Sequence, residues 1–170
     1  AARLSERYGN QQELSAAWNA IGNIQRETGN YVKALAYHRR ALHIRKSIGY
    51  NKGTADSYHN IGTVYLEWKR YDLAEKYLLE ALKRKKMLSN QSNTVNTLSV
   101  LGRLYVAKQA PQKALFYLNS AYEMRQEAGN SAKADASWYY LGTYYASIGD
   151  RSKALVLYRQ VQDLARSAND

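Results

Sequence analysis

Few side chains in this sequence are of a type and spacing that could do chemistry. Its 170 residues contain no cysteine, which excludes thiolate metal sites and cysteine nucleophiles. No carboxylate cluster with the spacing of a metal site accompanies the three histidines His38, His43 and His59. A phosphate-binding glycine loop, a zinc-binding helix motif and a Ser/His/Asp arrangement are also absent from the sequence. We therefore expect a protein that is not an enzyme and has no metal ion or other cofactor.

Four columns of residues recur every 40 positions along the chain. One column is glycine, a second is alanine, a third is the aliphatic residue before each glycine, and a fourth is a large apolar residue three positions earlier. Such periodicity predicts a repeat architecture, in which neighbouring units stack to bury a continuous core. The columns are Gly22, Gly62, Gly102 and Gly142; Ala34, Ala74, Ala114 and Ala154; Ile21, Ile61, Leu101 and Leu141; and Trp18, Tyr58, Leu98 and Trp138.

Each repeat is predicted to contain two helices, because apolar residues recur in each half at spacings of three and four. The glycines at position 22 and its equivalents are expected to let the second helix of each repeat approach closely. Pro111 is predicted at the start of a second helix, where its missing N–H costs little. Glycine suits the left-handed residue that ends a helix, and Asn or Asp caps the next one. The predicted turns are Gly29-Asn30, Lys69-Arg70, Gln109-Ala110 and Gly149-Asp150.

The columns resemble the tetratricopeptide repeat, and the second copy matches best. The 40-residue unit is similar to the longer variant of this family in bacterial signalling regulators, kinesin light chains and spindle-orientation adaptors. The resemblance implies an all-α fold, a right-handed superhelical solenoid of antiparallel helix pairs. Gln25 departs from the family pattern, since an aromatic residue is usual at its position. The matching residues of the second copy are Tyr58, Ile61, Gly62 and Tyr65, then Tyr71, Ala74, Leu78 and Ala81.

The repeat boundaries follow from the same alignment of columns. Residue Ala1 aligns with Ala41, which lies inside a second helix. Residues 1–10 are therefore predicted to be the tail of a truncated preceding repeat, with Gly9 matching Gly49, and the chain is expected to be a piece of a longer protein. The predicted repeats, expected to form one continuous solenoid domain, are 11–50, 51–90, 91–130 and 131–170.

The resemblance also implies that the first helices line a concave groove for a protein or peptide ligand. An asparagine side chain has a donor and an acceptor, so it can pair with a peptide backbone in both senses. The alternative is that these asparagines simply solvate an open face. Arg103 would pair with an acidic ligand residue. The residues expected to face the ligand are Asn19, Asn23, Asp56, His59, Asn60, Thr63, Asn96, Ser99, Arg103, Tyr139, Tyr140 and Thr143.

Some members of the family clamp a terminal carboxylate with lysines and arginines in this groove. Asn19, Asn96 and Val100 stand where those cations would be, so we do not predict such a clamp. The function that we predict is a protein- or peptide-binding scaffold, an adaptor or sensor of a signalling or regulatory protein. It is expected to be cytoplasmic, without a membrane span.

The net charge of +11 supports an alternative function, the binding of nucleic acid or an anionic surface. The predicted first helices carry no net charge, and the second helices carry +10. The run Lys83-Arg84-Lys85-Lys86 would carry this interaction, extended by a second group of cations. A solvated helix end is the simpler interpretation, because four successive helical residues point to all sides. The second group is Arg39, Arg40, Arg45 and Lys46.

Two further alternatives concern apolar and aromatic side chains. The 16 tyrosines and three tryptophans could stack on nucleic-acid bases. Most of them occupy packing columns and are predicted to be core, with Tyr139 and Tyr140 as exceptions. Terminal repeats without caps could also allow self-association through exposed apolar faces.

Overall fold

The computed structural model describes residues 2–88, 91–127 and 136–167. Within these ranges the chain forms helices and no strand, which confirms the all-α fold class. The helices, in chain order, are α1 (Ala2–Glu27), α2 (Tyr31–Ser47), α3 (Asn51–Glu67), α4 (Tyr71–Met87), α5 (Gln91–Ala107), α6 (Pro111–Glu127), α7 (Ala136–Ser147) and α8 (Arg151–Ser167).

The helices follow the half-repeat closely. Helices α2 to α6 begin at residue 31 and then at every twentieth residue, and each is 17 residues long. Pro111 is the first residue of α6, as predicted. A missing backbone N–H is tolerated there because the first N–H groups of a helix have no partner within it.

The turns share one hydrogen-bonding pattern at helix ends. After α1, the N–H of Gly29 donates to Arg26 O (2.9 Å) and that of Asn30 donates to Gln25 O (2.7 Å). This pair of bonds is the Schellman motif, whose penultimate residue takes a positive φ. The residues in that place have φ between 56° and 84°. They are Gly29, Gly49, Lys69, Gln109 and Gly149.

The two predicted side-chain caps have different outcomes. Asp150 Oδ1 accepts a hydrogen bond from the backbone N–H of Lys153 (3.1 Å), so the cap at α8 is confirmed. The cap predicted for Asn30 is wrong, because no side-chain cap bond forms at the start of α2. The Asn30 side chain instead donates to Thr28 Oγ1 (3.0 Å), within the turn that ends α1.

The structure differs from the sequence prediction at the N-terminus. We expected a helix to end at Gly9, as α2 ends before Gly49, but α1 continues from Ala2 through Gly9 to Glu27. Gly49 has φ +68°, whereas Gly9 lies within the helix. A Cβ at Gly9 would meet no atom within 4 Å. No neighbouring packing therefore forces a turn here, and the intrahelical hydrogen bonds continue.

The chain divides into two compact units, residues 1–89 (unit 1) and residues 90–170 (unit 2). In unit 1, α1 packs against α2, α2 against α3, and α3 against α4, with a smaller contact between α1 and α3. In unit 2, α5 pairs with α6 and α7 with α8, and α7 also contacts α5 and α6. The division into four repeats of one continuous solenoid stays a prediction.

The glycine column allows close helix packing, as predicted, and the structure identifies the side chain that lies over it. A Cβ on Gly22 would lie 2.7 Å from the His38 ring, and one on Gly62 would lie 2.7 Å from Leu78 Cγ. Alanines 34, 74, 114 and 154 are all at most 3% exposed beside this contact. Each first helix therefore packs against its second helix through small residues. No described helix is both long and apolar enough to cross a membrane.

Candidate functional site

The structure brings two of the predicted ligand-facing residues of unit 1 into contact. Asn60 on α3 donates from Nδ2 to Oδ1 of Asn19 on α1, over 2.6 Å. The same Asn19 oxygen lies 3.1 Å from Nδ1 of His38 on α2. Both asparagines are half-buried. The contact therefore joins the first helices of two successive repeats and connects their face to the core.

His38 is the core residue that the sequence analysis expected. Its side chain is 0% exposed. Burial is the main cause that lowers the pKa of His38 to about 4, and the charges of Arg26 and Arg45 add to it. The imidazole is therefore neutral at pH 7 and carries one N–H group.

Asn23 and Thr63 lie on the same helices outside this contact. Asn23 on α1 is half-buried, and its side chain makes no hydrogen bond to any other residue in the described part of the chain. Thr63 is half-buried and donates to the backbone oxygen of His59 (3.0 Å), inside its own helix. Asn23 is thus the predicted site residue of unit 1 with the fewest intramolecular ties.

A second link between α1 and α3 was missed by the sequence analysis. Arg26 donates from Nη1 to Glu67 Oε1, and these side chains are 22% and 26% exposed. Arg26 and Glu67 are 41 residues apart, as are Asn19 and Asn60. The signal in the sequence was therefore a pair of complementary side chains one residue beyond the repeat length.

Asp56 and His59 lie nearer the start of α3. The carboxylate of Asp56 accepts from Nζ of Lys85 over 3.2 Å, and the Lys85 side chain is 4% exposed. Burial lowers the pKa of His59 to about 3, with Lys85 and Arg26 adding to the effect. His59 is therefore uncharged at pH 7. The charge of Asp56 is compensated by its ion pair, so this end of the face offers no isolated carboxylate.

Arg45 does not belong to the outer basic surface where the sequence analysis placed it. It is 7% exposed and donates to Ser15 Oγ (3.1 Å) on α1 and to Gly53 O (3.0 Å) and Ser57 Oγ (2.9 Å) on α3. A buried guanidinium is tolerated because polar acceptors surround it. The missed signal was a column of cations 40 residues apart, formed by Arg45, Lys85 and Arg125.

The basic run on α4 is divided among different environments. Lys83 and Lys86 are exposed, whereas Lys85 is buried. Arg84 pairs with Glu80 over 2.6 Å and lies 5.0 Å from the centre of the Tyr58 ring. The run therefore does not form one exposed patch, and the interpretation of a solvated helix end holds for Lys83 and Lys86 but not for Lys85.

Arg40 on α2 also lies over aromatic rings. The Arg40 guanidinium is 5.1 Å from the ring centre of Trp18 and 5.7 Å from that of Tyr37. The Trp18 and Tyr37 rings are stacked, with centres 5.5 Å apart. These aromatic side chains pack between α1 and α2 and are covered by Arg40, as expected for packing columns rather than open stacking platforms.

The predicted site residues of unit 2 lie on α5 and α7 and differ in accessibility. Asn96 and Tyr139 are exposed, and Arg103 and Thr143 are half-buried. Ser99 is 7% exposed, and its hydroxyl accepts from Arg125 Nη2 over 3.2 Å. That hydroxyl is thus engaged within the unit instead of facing a ligand. The Tyr140 side chain lies outside the described part of the structure.

Tyr139 contacts a second-helix side chain in unit 2. Its ring centre lies 5.6 Å from that of Tyr158, and Tyr139 is 53% exposed. The Tyr158 ring also packs over Gly142, where a Cβ would lie 2.6 Å from Cε1. Across the described ranges of both units, no group of three or more histidine and acidic side chains could hold a metal ion.

Comparison with known proteins agrees with this architecture. Residues 13–87 match the model of the tetratricopeptide repeat family, from α1 to the end of α4. No curated protein matches the sequence. Aspartyl phosphate phosphatase F from Bacillus subtilis has a similar structure, with a TM-score of 0.83 and 16% identity. The alignment covers 94% of this chain and 42% of that one.

Two further solved structures are similar. BtubC (BKLC) from P. vanneervenii has a TM-score of 0.77 and 22% identity over 92% of this chain and 65% of that one. A Rap protein complexed with Competence and Sporulation Factor has a TM-score of 0.56 and 15% identity over 90% of this chain and 52% of that one. The chain thus spans less than two thirds of each of these structures.

At such identities the structural similarities show the fold alone. The family match adds the sequence pattern over the first two predicted repeats, and the same glycine and alanine columns continue in α5 to α8. Residues 13–87 of the chain therefore consist of tetratricopeptide repeats.

Proposed function

We propose that this chain is a protein-binding module of a regulatory protein and that it holds an extended peptide segment on the amide face of unit 1. We define the amide face as Asn19 and Asn23 on α1 together with Asn60 on α3. The observation that carries the proposal is the hydrogen bond from Asn60 to Asn19, which fixes two half-buried amides across successive first helices.

The amide face has hydrogen-bonding groups left for a ligand. Asn19 Nδ2 and Asn60 Oδ1 have no partner among the described residues, and the Asn23 amide has none either. A peptide main chain offers a carbonyl and an N–H per residue, so it complements such amides. Each hydrogen bond contributes about 0.5–1.5 kcal/mol net, so several must act together. A preformed face lowers the entropic cost of binding on the protein side.

The electrostatics of the face favour an uncharged main chain over a bare anion. Asp56 is paired with Lys85, and Glu67 with Arg26. His38 and His59 are neutral at pH 7, since the pKa of each is lowered, to about 4 and about 3. A charged group on the ligand would therefore find only side chains whose charges are already paired within these two ion pairs. The scaffold fold also supports a binding module rather than an enzyme, and a cytoplasmic location stays a prediction.

The similar Rap protein structure contains Competence and Sporulation Factor, which supports the general idea of a regulator that takes a ligand on this fold. The similarity says nothing about the identity of a ligand for this chain. In unit 2, Arg103 and Tyr139 remain candidates for contacts to ligand side chains, because Arg103 is half-buried and Tyr139 is exposed.

The test begins with a ligand selected on the protein itself. A library of random peptides, about twelve residues long, displayed on phage would be selected on the full chain, and affinities of the enriched peptides measured. We expect Asn23→Ala to weaken binding roughly threefold to tenfold, the loss of one hydrogen bond, and Asn23→Ala with Asn60→Ala to weaken it further. Helicity and the unfolding midpoint must stay close to the wild-type values.

Asn119→Ala is the matched control, since Asn119 is exposed on α6 and outside the amide face. It should leave affinity unchanged. Equal affinities for wild type and the double variant would contradict the site. Capture that disappears at high salt and is lost with Lys83→Glu and Lys86→Glu would instead support the alternative of an anionic partner, because counterion release makes such binding salt-dependent.

A further inference from the structure

A buried imidazole lies directly behind the amide face. We propose that His38 is a positioning residue that fixes the orientation of the Asn19 and Asn60 amides and thereby decides which hydrogen-bonding groups a ligand meets. The inference deepens the proposed function and rests on it only for the ligand. The orientation of the amides follows from the unliganded protein.

The surroundings of Nε2 determine where the neutral imidazole carries its proton. Nε2 of His38 is buried and has no hydrogen-bond partner in the described structure. It packs against Gly22, where a Cβ would lie 2.9 Å from Nε2 and 2.7 Å from Cε1. A buried N–H without an acceptor is rarer and more costly than a bare acceptor atom. The neutral ring therefore carries its proton on Nδ1, and Nε2 has only a lone pair.

The imidazole proton determines the orientation of the Asn19 amide. His38 Nδ1 lies 3.1 Å from the amide of Asn19. Because Nδ1 is a donor, the Asn19 atom facing it must be the acceptor Oδ1. Asn and Gln oxygen and nitrogen are assigned from their partners, so the imidazole determines this orientation. An inverted Asn19 amide would place an N–H against the Nδ1–H group.

The Asn19 oxygen in turn determines the orientation of the Asn60 amide on α3. The Asn60 amide approaches the same Asn19 oxygen to 2.6 Å. Only a donor can do so, hence Asn60 presents Nδ2 to Asn19 and retains Oδ1 for other partners. One proton in the core thus leaves Asn19 with a free donor and Asn60 with a free acceptor, both on half-buried side chains.

Packing alone does not explain a histidine at this position. In the next two repeats the side chains over the glycine column are Leu78, over Gly62, and Leu118, over Gly102. Both leucines are fully buried, so an aliphatic side chain fills this place well. His38 instead buries a nitrogen without a partner and makes one hydrogen bond to Asn19. The bond to Asn19 is the contact that a leucine could not make.

The orientation has a consequence for specificity. A donor on Asn19 and an acceptor on Asn60 suit a group that has both a carbonyl and an N–H, such as a peptide main chain. A carboxylate would meet the Asn60 oxygen without a proton to donate. His38 thereby favours an amide ligand over an anionic one, although it does not touch the ligand itself.

The experiment is nuclear magnetic resonance on the full chain labelled with ¹⁵N. The ring nitrogens of His38 report the tautomer directly, and we expect the proton on Nδ1 with Nε2 unprotonated at neutral pH. In His38→Leu we expect the side-chain NH₂ signals of Asn19 and Asn60 to shift, because nothing then fixes the Asn19 amide. Leu78→Met changes the same packing column over Gly62, where no imidazole is present, and should leave those signals in place.

A proton on Nε2 would overturn the inference, as would unchanged Asn19 and Asn60 signals in His38→Leu. The two proposals remain separable. An Nδ1 proton without any selected peptide would uphold the role of His38 and remove the proposed function. An Nε2 proton together with peptide binding that requires Asn60 would uphold the proposed function and remove the role of His38. With a selected peptide as probe, His38→Leu should weaken binding roughly threefold to tenfold.

Discussion

Two residues of the first repeat bury polar atoms that lack a hydrogen-bond partner within the described structure. They are His38, through Nε2, and Gln25, through Oε1. Each departs from its own column: His38 aligns with Leu78, and Gln25 aligns with Tyr65. Such atoms destabilise the fold, because the hydrogen bond that each makes to water in the unfolded chain is not replaced in the core. In His38 the other ring nitrogen, Nδ1, forms a hydrogen bond with Asn19. That bond offsets part of the cost and fixes the Asn19 side chain on the amide face.

The pH dependence of stability should show the burial of His38. Burial lowers the pKa of His38 in the fold to about 4, from an ordinary value of 6.5. Well above pH 6.5 the ring is neutral in both states, and its contribution to stability is complete. As pH falls, the unfolded chain takes up the proton first, so stability decreases until about pH 4. The loss from His38 alone between about pH 7.5 and about pH 5 should be about 2 kcal/mol.

Urea unfolding at these two pH values measures this effect. His38→Leu should remove about that amount from the difference between the two free energies of unfolding. The stability loss caused by His59 continues to lower pH, because the pKa of His59 in the fold is about 3. His43→Gln serves as the control because His43 is exposed on α2, and it should keep the wild-type difference. Equal pH dependence in wild type and His38→Leu would show that His38 is not buried as a neutral ring.

At the scale of the helices, the turn residues determine where each element ends. Three of the five Schellman turns use glycine, but Lys69 and Gln109 adopt φ of 58° and 56°. A left-handed conformation costs a residue with a Cβ about 1–2 kcal/mol. The turns persist at these places because the flanking helices are held by their packing columns, which is why the repeat length was a better guide to the turn than the local residue type.

Lys69→Gly should therefore stabilise the protein. Glycine removes the strain at φ 58° but loses more backbone freedom on folding, so we expect a net gain of about 0.5–1 kcal/mol. Chemical denaturation of the full chain measures it. Lys69→Ala is the control, because alanine removes the lysine side chain and keeps the Cβ, and its stability should stay near that of wild type. A gain in Lys69→Ala as large as that in Lys69→Gly would assign the effect to the side chain instead of φ.

Much of the element pattern could be predicted from the sequence, because helix ends and packing columns depend on local residue types at a fixed period. The contacts between successive first helices could not. Asn19 meets Asn60 and Arg26 meets Glu67 at a separation of 41 residues, which depends on how neighbouring helices are aligned. Arg45 was misplaced for a related reason: its burial requires acceptors on two other helices, and periodicity within one helix counts an arginine as exposed.

At the scale of the molecule, three polar links join α1 and α3 in the described part of unit 1. They are the Asn19–Asn60 bond, the Arg26–Glu67 ion pair and the bonds of Arg45 to Ser15 and Ser57. Together they hold α1 against α3 along the face that we propose for the ligand. Unit 2 has its own arginine contact, from Arg125 to Ser99. The stability of each unit thus depends on contacts that lie within it.

Loss of the Arg45 contacts should consequently loosen unit 1 selectively. Arg45→Met keeps much of the side-chain volume but leaves Gly53 O and Ser57 Oγ without this donor, which should cost about 2 kcal/mol. Hydrogen exchange followed by mass spectrometry on the full chain should show faster exchange in α1, α2 and α3, with α8 unchanged. Arg159→Met is the control, because it removes the same charge from an exposed position on α8. Faster exchange in α8 of Arg45→Met, or equal exchange in both variants, would show that these bonds do not set the local stability of unit 1.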